Sequence, residues 1–157
     1  MLTGFTLAIL GGSIAAFLAG LGSALGCAIA GRAAAGVTTE DPSKFARLLL
    51  LQALPGTQGF YGLVGMFLIL NKLGMVSDIT TITTPQGWQI LFAAIPVGIV
   101  GLISAVAQGQ VCAAGCSVVA KKPEEVGKAL VYGVIVETYG VLGFLATFLL
   151  LGSIKLG

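Results

Sequence analysis

Charged residues divide this chain into long apolar runs. Uncharged stretches extend from Met1 to Gly31, from Leu48 to Asn71 and from Ile79 to Ala120; a fourth, from Ala129 to Ile154, is broken only by Glu137. Each is longer than the roughly 20 residues a helix needs to cross the hydrocarbon of a bilayer. The third stretch opens with a Thr-rich segment containing Pro85, so its helix is expected to begin near Gln86. The pattern predicts an all-α membrane protein with four transmembrane helices in a single membrane domain over 1–157. No Lys or Arg precedes Arg32, so the first run lacks the basic start of a secretory leader, is too long for one, and is expected to be a span.

The runs repeat in pairs. Sliding the chain by 81 residues places Asp41-Pro42 on Lys122-Pro123, Gly20-Leu21 on Gly101-Leu102 and Ser23-Ala24 on Ser104-Ala105. The same shift places Thr57, Gly59 and Gly62 on Thr138, Gly140 and Gly143, and Phe67-Leu68 on Phe148-Leu149. A gap-free match of this extent marks a duplicated helical hairpin, the first over 1–72 and the second over 86–157. The halves differ where chemistry is possible: Glu137 falls on Gly56, and Gln108 falls on Cys27. Only the second hairpin carries a carboxylate at depth.

Composition agrees with the spans. Charged residues are 9% of the 157 and hydrophobic residues 57%, whereas a soluble domain carries about 25% charge. A net charge of +2 gives no basic patch for a nucleic acid. The basic residues are unevenly placed. Arg32, Lys44, Arg47, Lys121, Lys122 and Lys128 flank the turns after spans one and three, against Lys72 and Lys155 on the other side. This bias predicts a multi-pass protein of the cell membrane with loops near 37–44 and 120–125 in the cytoplasm and both termini outside. Lys121, Lys122, Glu124 and Glu125 read as a solvated loop and helix start, with room for contact to a soluble partner. Cys27, Cys112 and Cys116 sit in apolar surroundings; without histidine or a second cysteine pair, the Cys112/Cys116 spacing reads as packing rather than a soft-metal site.

Small residues form stripes. Gly101, Ala105, Gly109, Ala113 and Ser117 recur every four residues on the third span, and Gly11, Ala15, Ala19, Ser23 and Cys27 on the first. Such rows let helices approach closely in lipid, where packing replaces the hydrophobic drive. The second and fourth spans instead carry Phe60, Tyr61, Phe67, Phe144 and Phe148. One stripe suits a compact four-helix monomer. Two parallel stripes favour a closed homo-oligomeric ring, with spans one and three inside and two and four outside.

Glu137 is the decisive residue. A charge deep in a bilayer is unfavourable by several kcal/mol unless paired or protonated. It lies about 14 Å along a helix from Lys128, while Gln108 and Gln58 lie about 19 and 16 Å from Lys121 and Arg47, so three polar side chains reach similar depth. Thr57 and Gln58 share a face with Leu54, and Pro55 interrupts the backbone there, leaving carbonyls available. One carboxylate, two amide oxygens, a hydroxyl and a carbonyl make a hard-oxygen cage of net charge −1, suited to a monovalent cation such as Na⁺. A proton achieves the same neutrality with fewer ligands. The plain alternative for Gln58 and Gln108 is interhelical hydrogen-bonding glue. Gln110 points to another face, and Thr138 is expected to bond its own backbone.

The segments Leu54-Pro-Gly-Thr-Gln-Gly-Phe-Tyr-Gly62, Ala107-Gln-Gly109 and Val136-Glu-Thr-Tyr-Gly140 resemble the membrane-ring proteolipid of bacterial Na⁺-transporting V-type ATPases over essentially the whole chain. The resemblance implies a Na⁺ site made by the Leu54 carbonyl, the Thr57 hydroxyl, the Gln58 and Gln108 amide oxygens and the Glu137 carboxylate. It implies that Tyr61 hydrogen-bonds Glu137 and holds it closed. It also implies a ring of identical subunits turned by central-stalk subunits of a soluble ATP-hydrolysing sector, with a stator membrane subunit offering an Arg to displace the ion. The chain itself has no Gly-x-x-x-x-Gly-Lys-Ser/Thr phosphate loop and no catalytic residue is expected in it; ATP chemistry belongs to other subunits. The same ring carrying H⁺ is the nearest alternative. A small multidrug/cation antiporter also uses one membrane Glu, but it requires an aromatic-lined cavity, and Trp88 lies near the membrane edge. A purely structural four-span channel-former has no need for the polar convergence.

Overall fold

The computed structural model describes residues 3–74 and 81–156; Met1, Gly157 and the start of the third apolar stretch at Ile79 lie outside the described residues. Five α-helices appear among them: α1 (Gly4–Glu40), α2 (Phe45–Ala53), α3 (Thr57–Lys72), α4 (Thr84–Lys121) and α5 (Val126–Ser153). α2 and α3 are two parts of one span, Pro42–Lys72, which together with α1, α4 and Pro123–Ser153 makes four segments long and apolar enough to cross a membrane.

Each end has a local cause. The Thr3 hydroxyl caps α1 by accepting the Thr6 amide at 3.2 Å. α1 stops where Asp41 becomes extended before Pro42, because the residue ahead of a proline is pushed out of the helical region. Gln86 Oε1 accepts the Thr83 amide at 2.9 Å, closing a capping box, so α4 starts at Thr84, two residues ahead of the sequence expectation. Within α4, Pro96 removes one backbone donor; the neighbouring Val97 amide donates to the fully buried Thr147 hydroxyl of α5 at 3.1 Å.

The long helices α1 and α4 form the most extensive contact, with α3 resting on α1 and α5 on α4. Glycine makes the α1–α4 contact possible. A Cβ at Gly22 would lie 2.5 Å from Leu102 Cα, and one at Gly11 would lie 2.9 Å from Leu91 Cα. Close backbone approach of this kind is how helices gain van der Waals contact in lipid. The aromatic residues of α3 and α5 divide. Phe60, Phe67 and Phe148 face outward, whereas Tyr61 and Phe144 turn toward one another with ring centroids 6.0 Å apart.

Two apolar clusters fill the interior. One, around Ile69, Ile90, Val97 and Leu151, lies toward the chain termini. The other, around Leu48, Leu51, Cys112 and Val119, lies toward the short turns. The buried polar residues Ser23, Gln58, Ser104 and Gln108 form a layer between them. At the turn end, Lys44 Nζ donates to the Ala120 carbonyl at 2.8 Å and pairs with Asp41 at 3.2 Å, tying the α1–α2 turn to the end of α4.

Candidate functional site

The polar layer begins at a break in the backbone. Pro55 has no N–H to give the Leu51 carbonyl, so α2 ends at Ala53 and the chain tightens into a 3₁₀ turn over Leu54–Gly56. Thr57 restarts the helix. Its amide donates to the Leu54 carbonyl, and its hydroxyl donates to the same oxygen at 3.0 Å. Both lone pairs of that carbonyl are therefore engaged, and a cation here competes with the Thr57 hydroxyl for it.

From α3, Gln58 reaches across to α4. Its Nε2 donates to Gln108 Oε1 at 2.7 Å, and its Oε1 lies 3.2 Å from Thr57 Oγ1, competing with the nearer Leu54 carbonyl for the one hydroxyl proton. Gln108 in turn donates from Nε2 to the Gly133 carbonyl of α5 at 3.0 Å. Only the NH₂ end of an amide can face a carbonyl, so this bond orients Gln108 with its oxygen toward Gln58. Both glutamines are completely buried.

Glu137 comes from α5, one turn beyond Gly133 and just short of one turn before Gly140. Tyr61 Oη donates to Glu137 Oε1 at 2.7 Å. The flanking glycines are needed for clearance: a Cβ at Gly140 would lie 2.9 Å from Gln58 Cγ, and one at Gly133 would lie 3.0 Å from Leu54 Cδ1. Among the described residues the two ion pairs, Lys44–Asp41 and Lys128–Glu125, lie at the turn end, and Glu137 belongs to neither. A half-buried carboxylate at membrane depth must be neutralised by a cation or a proton.

The structure thus joins Leu54, Thr57, Gln58 and Gln108 in one hydrogen-bonded chain; Glu137 is outside that chain, hydrogen-bonded to Tyr61, on the helix whose Gly133 and Gly140 lie against it. Thr138 bonds the Ile135 carbonyl of its own helix at 2.7 Å, and Gln110 is exposed on another face. Cys112 and Cys116 are buried in the turn-end cluster.

Three residues of the site were missed by the sequence reading. Ser23 Oγ accepts the Gly59 amide at 2.7 Å and pins α3 to α1 just past Thr57. Gly133 supplies the carbonyl that orients Gln108, and Gly140 makes room for Gln58. The internal repeat had already paired Ser23 with Ser104 and Gly59 with Gly140, but a repeat does not name contact partners.

A sequence profile of the ATP synthase C-subunit family matches the chain twice, over residues 10–69 and 91–150, two segments offset by the same 81 residues as the internal repeat. V-type sodium ATPase subunit K of Enterococcus hirae is 46% identical over 94% of this chain and 91% of its own length. A-type ATP synthase subunit K of Methanocaldococcus jannaschii is 39% identical over 96% of this chain and 64% of its own length. The 16 kDa proteolipid of the V-type proton ATPase of Nephrops norvegicus is 29% identical over 90% of this chain and 87% of its own length.

Proposed function

Because this chain belongs to the ATP synthase C-subunit family, we propose that it is the rotor-ring subunit of a rotary V-type ATPase that carries Na⁺ through the membrane on Glu137. The observation that carries the reading is the buried Gln58–Gln108 amide pair, hydrogen-bonded at 2.7 Å and met by α5 at Gly133 and Gly140, about one turn either side of Glu137. Neutralising a carboxylate with a proton needs no such oxygens. Holding a dehydrated Na⁺ does, because hard oxygen ligands replace its water. The name of the Enterococcus hirae relative, a sodium ATPase subunit, points the same way; that of the Nephrops norvegicus relative, a proton ATPase subunit, keeps H⁺ as the competing cargo.

In this reading the ion is held by the Leu54 carbonyl, the Thr57 hydroxyl, the Gln58 and Gln108 amide oxygens and the Glu137 carboxylate. Tyr61 holds Glu137 in the closed position. With one Na⁺ bound the site is neutral and can face lipid. Copies of the chain, each made of hairpins 1–72 and 86–157, close into a ring. The turns near 37–44 and 120–125 lie in the cytoplasm and dock central-stalk subunits, while both termini lie outside. An Arg from a stator membrane subunit displaces the ion from Glu137 as each copy passes. ATP is hydrolysed in other subunits.

The test is the rate at which a hydrophobic carbodiimide modifies Glu137 at fixed pH, with and without Na⁺. The reagent attacks a protonated, accessible carboxyl, so bound Na⁺ is expected to slow it strongly. An unchanged rate at every pH leaves a proton-carrying ring and refutes the sodium reading.

A further inference from the structure

The break at Pro55 leaves a helix start to be satisfied. α3 opens at Thr57 with Gly56 in the capping position, where there is no side-chain oxygen to accept the first amides. The backbone at Gly56 is itself helical, at φ −77° and ψ −20°, so the chain does not fold back over its own first turn as a capped start does. The acceptor comes from another helix. Gly59, the third residue of α3, donates its amide to the buried Ser23 Oγ of α1 at 2.7 Å. The third amide is one of the two that a capping side chain serves, so Ser23 acts as a cap supplied from the neighbouring helix.

The duplication provides the comparison. Ser104 stands to Gly140 in the second hairpin as Ser23 stands to Gly59 in the first: a Cβ on either glycine would lie 3.2 or 3.1 Å from the hydroxyl oxygen of its serine. The packing is the same and the hydrogen bond is not. Val136 occupies the place of Pro55, α5 runs unbroken through Gly140 from Val126 to Ser153, and Ser104 turns its hydroxyl to the Gly101 carbonyl of its own helix at 3.4 Å. The bond between helices therefore accompanies the proline break and not the serine–glycine contact.

We propose that Ser23 is a positioning residue for the cation site: by capping α3 at Gly59 it fixes where the Thr57 and Gln58 oxygens stand opposite Gln108. The inference rests on the site proposed above. Gln58 immediately precedes Gly59 and reaches Gln108 at 2.7 Å, while the Thr57 hydroxyl meets the Leu54 carbonyl at 3.0 Å, so a turn of the helix start displaces both. Without Ser23, the Gly59 amide has the Pro55 carbonyl, four residues back, as its substitute acceptor. Taking it winds the 3₁₀ turn over Leu54–Gly56 toward α-helix and rotates Thr57 off the Leu54 carbonyl. Ser23 itself touches no ion in this arrangement; it acts through the two residues that do.

The experiment uses the full chain in membranes and measures the Na⁺ concentration that halves carbodiimide modification of Glu137 at constant pH. Ser23→Ala is expected to raise that concentration about fivefold, the usual effect of a lost capping hydroxyl. Ser23→Cys keeps the volume but offers only a weak acceptor, and is expected to raise it by a similar factor. The rate without Na⁺ is expected to stay as it is in both variants, because the Tyr61–Glu137 bond is left in place. Ser13→Ala, whose hydroxyl bonds the Ile9 carbonyl on an exposed face of the same helix, is expected to change neither quantity. An unchanged Na⁺ requirement in Ser23→Ala overturns the proposal, and so does a loss that Ser23→Cys restores, since packing then suffices. A Na⁺-free rate raised as much as the Na⁺ requirement also overturns it, because the whole helix has then loosened. Absence of Na⁺ protection in the unaltered protein is a different failure: it refutes the sodium reading and takes the positioning role with it.

Discussion

Replacing Gln108 with alanine is expected to weaken Na⁺ binding about 10- to 150-fold. The side chain is completely buried, accepts from Gln58 at 2.7 Å and donates to Gly133 O at 3.0 Å. Its removal has two consequences of different size. The Gln58 amide loses its acceptor, an effect averaging about 0.6 kcal/mol and reaching about 1.7 in membrane helices, and this loss is present with or without the ion. The ion loses a neutral oxygen ligand, which for contacts to a charged group contributes about 1.5–3 kcal/mol; at about 1.4 kcal/mol per tenfold, that gives the stated range. The second effect decides a binding assay because the first cancels between the free and bound states. The measurement is the Na⁺ concentration that halves the rate of Glu137 modification by a hydrophobic carbodiimide at constant pH. Gln110→Ala, on an exposed face two residues away, is expected to leave that concentration unchanged. A half-protecting concentration in Gln108→Ala within twofold of the unaltered protein would refute the reasoning, as would an equal shift in Gln110→Ala.

Tyr61→Phe removes the 2.7 Å bond to Glu137 and is expected to raise the Na⁺-free carbodiimide rate about fivefold, a change of about 1 kcal/mol; an unchanged rate shows that Tyr61 does not hold the carboxylate. Gly140→Ala places a methyl 2.9 Å from Gln58 Cγ and is expected to displace Gln58 and weaken Na⁺ protection, whereas Gly152→Ala, with open space around it, is expected to change nothing. Gly56→Glu is expected to add a second carbodiimide-reactive carboxyl per chain that Na⁺ fails to protect, because Cys27, beside Gly56, stands where the repeat has Gln108; protection of both carboxyls refutes the assignment of ligands. The Ser43 hydroxyl, then Lys44 and then the Ser43 amide hold the Asp41 carboxyl below the usual aspartate range. Its contribution to the α1–α2 turn is therefore complete above the ordinary pKa and lost as pH falls through the lower folded value, below about pH 4. Exchange of the Ser43 amide is expected to be faster in Asp41→Asn at neutral pH and equal in the two proteins once Asp41 is protonated.

Much of this was legible in the sequence because membrane depth makes charge rare and conspicuous. Four apolar runs and one interrupting carboxylate specify the spans and Glu137, and the 81-residue offset of the repeat matches that of the two family segments. Pro55 announced the backbone break, but not that the Thr57 hydroxyl already occupies the Leu54 carbonyl; that depends on a side-chain rotamer. Gly133 and Gly140 resembled any other small packing residues. Their roles, a carbonyl for Gln108 and clearance for Gln58, come from the placement of α5 against α3 and α4, which no local pattern encodes. Tyr61 and Phe144 face inward while Phe60 and Phe148 face outward, a distinction set by the rotation of α3 and α5 about their own axes.

The asymmetry of the two hairpins bears on what such a ring can do. If each copy carries one cation, the ions moved per turn equal the number of copies, while the number of four-helix units fixes the circumference. A ring with a carboxylate on every hairpin moves twice as many ions for the same perimeter. For a fixed quantity of ATP per turn, halving the ions doubles the free energy behind each one, and because that energy is logarithmic in concentration, the opposable gradient is squared. The arrangement favours pumping against a steep gradient over synthesis. It is also robust to single substitutions. The first hairpin has Gly56 and Cys27 where the second has Glu137 and Gln108, so restoring either one alone leaves an incomplete cage. A carboxylate alone at Gly56 has no glutamine at Cys27 beside it to complete a cation cage, and a proton is the simpler neutraliser there. The gearing is thus set by positions of the duplicated hairpin acting jointly.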